Sequence, residues 1–164
     1  MQFLNRVRLW QKLALLVVAM AVPTALLGVF YLSGANAQVA LASNEIEGAR
    51  YVQSVGAVLA EAANHRSRLF ALLTGDAERR DEVSSSETEM DKLVADVDAN
   101  DTQVGVRFGV SETWHAIKSD WERLRVEGPK LTAAEGVARH NALIDKLLKL
   151  GGTISARSGL NVDP

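Results

Sequence analysis

The chain has 164 residues, no cysteine, three prolines and 5% aromatic residues, with 18 Lys+Arg against 20 Asp+Glu for a net charge of -2. Without cysteine there is neither a disulfide framework nor a thiolate metal site. With charges nearly balanced and no basic run interleaved with aromatics, there is no electrostatic footprint for nucleic acid.

Long helical periodicities with few breakers point to an all-α protein. The first element is "LALLVVAMAVPTALLGVFYL", Leu13 to Leu32, which carries no charged residue. About 20 helical residues at 1.5 Å each cross a hydrocarbon core of about 30 Å. Arg6, Arg8 and Lys12 precede the stretch with no acid among them, and the first charges after it are Glu45 and Glu47. The positive-inside rule then predicts a cytoplasmic segment 1–12, a transmembrane helix 13–32 and an exported segment 33–164. Trp10 and Tyr31 fall near the two membrane interfaces. Pro23 is tolerable in a spanning helix, where neighbouring groups re-satisfy the freed carbonyl. Ala35-Asn36-Ala37 has the form of a signal-peptide cleavage site, but the apolar run is longer than the usual core of about 7–15 residues, which favours a retained anchor. Once Arg6, Arg8 and Lys12 are set aside, the exported part is mildly acidic.

Four amphipathic segments follow. In the first, about Ala40 to Leu73, Val52, Val55, Leu59, Ala62, Leu69 and Leu73 keep a three-four spacing that predicts one face of a bundle helix. "TGDAE" ends it, with Gly75 suited to a helix C-terminus and Asp76 to the next N-cap. The second, about Ala77 to Asp98, carries Val83, Met90, Leu93, Val94 and Val97. "DANDTQVGVRFGVS" reads either as a loop or as a disturbed stretch inside a longer helix. The third starts near Ser111 as N-cap, shows Trp114, Ile117, Trp121 and Leu124, and is broken by Gly128-Pro129. The fourth opens on the capping box Thr132-Ala133-Ala134-Glu135 and carries Val137, His140, Ile144, Leu147, Ile154 and Ser158 on one stripe. Gly151-Gly152 suggests a kink or a close backbone contact within it. The expected architecture is an N-terminal transmembrane helix followed by an antiparallel, four-helix-bundle-like domain.

No Walker loop, G-x-S-x-G, H-E-x-x-H or G-x-G-x-x-G is present, and the chain is not read as an enzyme. "DANDTQ" lacks the glycine and the acid of a calcium loop. His65, His115 and His140 lie on three segments with no i,i+4 pair, so they read as solvated or locally bonded rings, and neither a metal nor a cofactor is expected. One arrangement is suggestive. The register Val52–Leu59–Arg66–Leu73 places Arg66 at a core position, and the fourth-segment stripe does the same for His140. A buried guanidinium must be paired. Either it pairs with a glutamate or a helix-end carbonyl of the fold or snorkels to the rim, or it receives an anionic ligand between helices with Trp114 or Trp121 as a wall. In the same register Arg50 and Arg68 are surface charges.

The spanning helix, "EIEGARYVQSV", "NHRSRLFALLTGD", "WHAIKSDWERL", "ARHNALI" and "ISARSGLNVDP", in this order, resemble the extracytoplasmic sensor region of bacterial methyl-accepting chemotaxis proteins. The resemblance covers nearly the whole chain. It implies a chemoreceptor input region in the bacterial inner membrane, with a periplasmic sensor that works as a homodimer and answers a small-molecule ligand or a periplasmic binding protein. Histidine kinases and diguanylate cyclases use similar sensors, and a membrane-anchored helical adaptor would share the same pattern. Such receptors continue into further sensor helices, a second crossing and a cytoplasmic output. Asp163-Pro164 resembles a junction between two halves of such a sensor, so the chain reads as truncated and its bundle as incomplete, with part of the first helix's apolar stripe left uncovered.

Overall fold

The computed structural model of the protein describes residues 9–160. Arg6, Arg8 and the Asp163-Pro164 turn lie outside the described residues, as do the side chains of Asn36 and Ala37. The described chain is helical and contains no strand. Its helices are α1 (Leu9–Leu73), α2 (Arg80–Asn100), the short α3 (Val106–Phe108), α4 (Ser111–Glu127) and α5 (Ala133–Ser158). Two compact units are present, Met1–Ala42 and Ser43–Pro164.

Among the described residues, the first unit contains only the N-terminal part of α1. Its most apolar window of 18 residues reaches a mean hydropathy of 2.5 and buries nothing. Leu13, Leu16, Val18, Met20, Leu26 and Phe30 are all exposed, Phe30 by 84%. The stretch is long and apolar enough to cross a membrane by length and composition. Pro23 sits inside the helix without ending it.

The second unit is an antiparallel four-helix bundle built from the C-terminal part of α1 with α2, α4 and α5. Residue pairing shows the direction of each helix. Along α1 and α2, Tyr51 meets Asp101, Ser54 meets Asn100 and Glu61 meets Ser86, so one number rises as the other falls. Between α2 and α4 the pairs are Asp98–Lys118 and Asp91–Arg125. Between α4 and α5 they are Asp120–Lys146 and Glu127–Arg139. α5 returns along α1, so that Gly136 lies by Leu69 and Leu73, and Ser158 by Gly48. Such up-down topology with short connections is how amphipathic helices bury a common stripe.

The core holds Tyr51, Val55, Val58, Met90, Trp114, Ile117, Leu147 and Ile154, among others, with Tyr51 and Trp114 fully enclosed. The apolar stripe of α1 is covered over this unit. Of its large apolar side chains there, Ile46 and Phe70 alone are strongly exposed, so the uncovered stripe expected of an incomplete bundle is not found.

Most breaks fall where the breakers are. α1 ends at Leu73, and Gly75 takes a φ of 112°, a conformation that costs glycine nothing. Thr132 and Glu135 form the reciprocal capping box at the start of α5. Two N-caps differ from expectation. Asp76 makes no cap bond and instead accepts from Arg79, while Val110 rather than Ser111 stands at the N-cap of α4. The "DANDTQVGVRFGVS" stretch is helix with a disturbed middle: Asp101–Gly105 is a π turn, and Gly109 closes α3 in the left-handed region. The π turn lets Asp101 point inward to accept from the Tyr51 hydroxyl at 2.8 Å. α5 runs through Gly151-Gly152 as one helix, and no close contact is made there, since nothing lies within 4 Å of a Cβ at either glycine. The close approach in α5 is at Gly136 instead.

Candidate functional site

The four residues singled out from sequence occupy three different settings. His140 on α5 is wholly buried, as expected. Trp114 is also buried, but its indole N–H is used within the fold, donating to Asp98 at 2.7 Å. Trp121 lies further along α4, 5.0 Å from the ring of His65 in an edge-on arrangement. Arg66 is not at a core position. It is half-buried at the α1–α5 seam and donates to Asn141 at 2.5 Å. The true core register of α1 is Tyr51, Val55, Val58, Ala62, His65 and Leu69, so the inward residue is His65, one position earlier. Neighbouring residues on a helix differ by about 100° in direction, which moves Arg66 from the interior to the seam. Arg68 is part-buried and bonded to Glu61, rather than a free surface charge.

The structure thus assembles a layer in which each helix contributes one side chain: His65 from α1, Glu87 from α2, Trp121 from α4 and His140 from α5. Its hydrogen bonds are directional. His140 Nδ1 lies 2.7 Å from the carbonyl of Gly136, which only accepts, so the proton of His140 sits on Nδ1. His140 Nε2 is then an acceptor. His65 Nδ1, 2.8 Å away, must be the donor. That leaves the lone pair on His65 Nε2, which is buried and has no hydrogen-bond partner; Glu87 Oε1 is the nearest carboxylate oxygen, at 3.9 Å. The indole N–H of Trp121 is likewise buried and unpartnered. Buried polar atoms are nearly always paired, so two orphans in one layer are unusual.

The electrostatics of the layer follow from its burial. Desolvation, reinforced by His140 and Arg68 and opposed by Glu61, lowers the pKa of His65 to about 4. His140 is also lowered, by burial first and by Arg66, against the pull of the Gly136 carbonyl. The carboxyl of Glu87 is raised, chiefly by burial, with Arg125 opposing and Asp91 adding. At neutral pH the two imidazoles are therefore neutral, held in one tautomeric chain that runs from the Gly136 carbonyl to the open lone pair of His65. Beside them, burial would raise Glu61, but hydrogen bonds from Ser86, Asn64 and Arg68 hold it below the usual carboxylate range.

Two clefts lie on the bundle surface. One, of about 450 Å³, separates α4 from α5, and its cations Arg123, Arg139 and Lys146 are each paired with Asp120 or Glu127. The other, of about 260 Å³, lies between α2 and α4 and has Trp121 in its wall. Among the described residues no group of three His, Cys, Asp or Glu side chains is placed to hold a metal ion.

Sequence reasoning missed His65 and Glu87. His65 was within reach, since Ala62–His65–Leu69 keeps the same three-four spacing as the apolar stripe. Nothing local marks Glu87, whose part depends on which face of α2 meets α1. No protein-family model, curated protein or solved structure matches the chain.

Proposed function

We propose that the chain is the sensory input portion of a bacterial transmembrane chemoreceptor, with its bundle on the outer side of the inner membrane. The observation that carries this reading is that α1 holds both a charge-free apolar stretch, exposed along its length, and one wall of an antiparallel bundle. Each large apolar side chain left in water forfeits roughly 1.5–3 kcal/mol, so a stretch of this length calls for lipid around it. The basic residues Arg6, Arg8 and Lys12 orient it with the N-terminus inside. A polar layer within the bundle core supports an input role, because it leaves the packing of four helices sensitive to a small change in bonding. In this role the protein acts as a homodimer in the membrane, and its stimulus is a small molecule or a periplasmic binding protein. A histidine kinase or cyclase output would use the same input.

The test has two arms. A reporter active only outside the cytoplasm, fused after Pro164, is expected to be active; activity of a cytoplasm-only reporter at the same position refutes the topology. The coding frame beyond Pro164 is expected to run into a second apolar span and a long heptad-bearing region. A frame without any signalling domain refutes the receptor reading and leaves a membrane-anchored adaptor.

A further inference from the structure

We propose that His65 Nε2 and Glu87 form a proton-binding site, and that proton uptake there draws α2 toward α1, so that the bundle responds directly to acidification. The proposal names the proton as a stimulus for the input module described above, and its physiological meaning rests on that reading; its chemistry does not.

The geometry carries the argument. The tautomeric chain from the Gly136 carbonyl through His140 to His65 Nδ1 uses every ring nitrogen but one. The remaining lone pair, on His65 Nε2, is the one place where the pair takes a proton without breaking a bond it already makes. Once protonated, Nε2 becomes a donor. Glu87 Oε1 at 3.9 Å is beyond hydrogen-bond length but within the range of a small adjustment. Closing that gap gives the buried orphan acceptor a hydrogen bond, with one proton held between Nε2 and the Glu87 carboxyl. It also moves α2 at Ser86-Glu87, one helical turn along α1 from the Glu61–Ser86 bond.

The groups facing the site come from all four helices. From α1, Glu61 favours the cation and Arg68 opposes it. From α2 come Glu87 itself and Asp91, and from α4 Arg125, which acts on Glu87. From α5 comes His140, with Arg66 behind it. The ring of Trp121 sits edge-on to His65 and reports on its charge. A metal ion has little to bind here, because the lone pair of His140 Nε2 is already taken and only His65 Nε2 and Glu87 remain.

The full chain in detergent micelles, with ¹⁵N-labelled histidine, tests the proposal by NMR. At pH 7.5 His65 is expected with its proton on Nδ1. Toward pH 4 its Nε2 resonance is expected to titrate, with the backbone amides of Ser86 and Glu87 moving at the same midpoint. Glu87→Gln keeps the shape of the side chain and removes its charge, and is expected to lower the His65 midpoint by about 0.5–1 pH unit. The proposal is overturned by a proton on Nε2 at pH 7.5, by a His65 midpoint near the ordinary imidazole value of 6.5, by α2 amides that stay still, or by an unchanged midpoint in Glu87→Gln. Stoichiometric displacement of the His65 resonances by Zn²⁺ at pH 7.5 overturns it in favour of a metal site. None of these outcomes touches the reporter test of topology, so the two readings fail separately.

Discussion

Acidification is expected to weaken the bundle through His65 before the carboxylates contribute. In the fold this imidazole has a pKa of about 4, against 6.5 in the unfolded chain. The unfolded chain therefore takes up the proton first. The stability contributed by the neutral ring is fully present above pH 6.5 and is lost as pH falls toward 4, below which the folded state binds the proton too. A depression of this size corresponds to about 3 kcal/mol in full, of which about 2 kcal/mol is gone at pH 5. His140, also lowered, acts in the same direction. Glu87 acts in the opposite one: its raised carboxyl is protonated first in the fold, which offsets part of the loss. Glu61 and Asp98 have lowered values, so their contributions are present above the usual carboxylate range and disappear only below it. Urea unfolding of the full chain in micelles, followed by circular dichroism at pH 7.5, 6 and 5, measures the slope. His65→Asn supplies the control, because an amide still donates to His140 Nε2 and takes no proton in this range. The wild type is expected to lose about 2 kcal/mol more than the variant between pH 7.5 and 5. Equal losses in the two proteins would show that His65 is not desolvated in the native state, and the reasoning would fall.

Three further substitutions probe the packing, each read by the same unfolding assay. Gly48→Ala is expected to destabilise by about 1–3 kcal/mol despite the better helix propensity of alanine, because its Cβ would collide with the side chain of Ser158. In a Ser158→Gly background the sign should reverse, and a stabilising effect in the wild type would contradict the α1–α5 contact. Tyr51→Phe removes the hydroxyl that donates to the buried Asp101, and a loss of about 1.5–3 kcal/mol is expected; under 0.5 kcal/mol would mean that the carboxylate has found another donor. Thr132→Ala deletes the capping box of α5 and should cost about 1 kcal/mol, with no measurable change counting against the cap.

Several features of this protein are set by its sequence alone. The charge-free run Leu13–Leu32, the stop at Gly75, the break at Gly128-Pro129 and the capping box at Thr132 are local signals, and each lies where local chemistry places it. The all-α class follows from periodicity, which needs only neighbouring residues. The register of α1 does not. Val55, Ala62 and Leu69 belong to two overlapping stripes, one continued by Val52, Leu59 and Arg66, the other by Tyr51, Val58 and His65. Both are sufficiently apolar, so the helix alone has no preference. The choice comes from the other three helices, which enclose His65 and Tyr51 and leave Arg66 at the seam with Asn141. The buried layer is decided in the same way. His65 and His140 are 75 positions apart, and Trp121 and Glu87 arrive on two further helices. Each side chain taken alone reads as an ordinary polar or aromatic residue. Only the closing of the bundle removes water from the imidazoles, fixes their tautomers and brings a carboxylate within 3.9 Å, because desolvation and hydrogen-bond direction are properties of surroundings that the chain creates by folding.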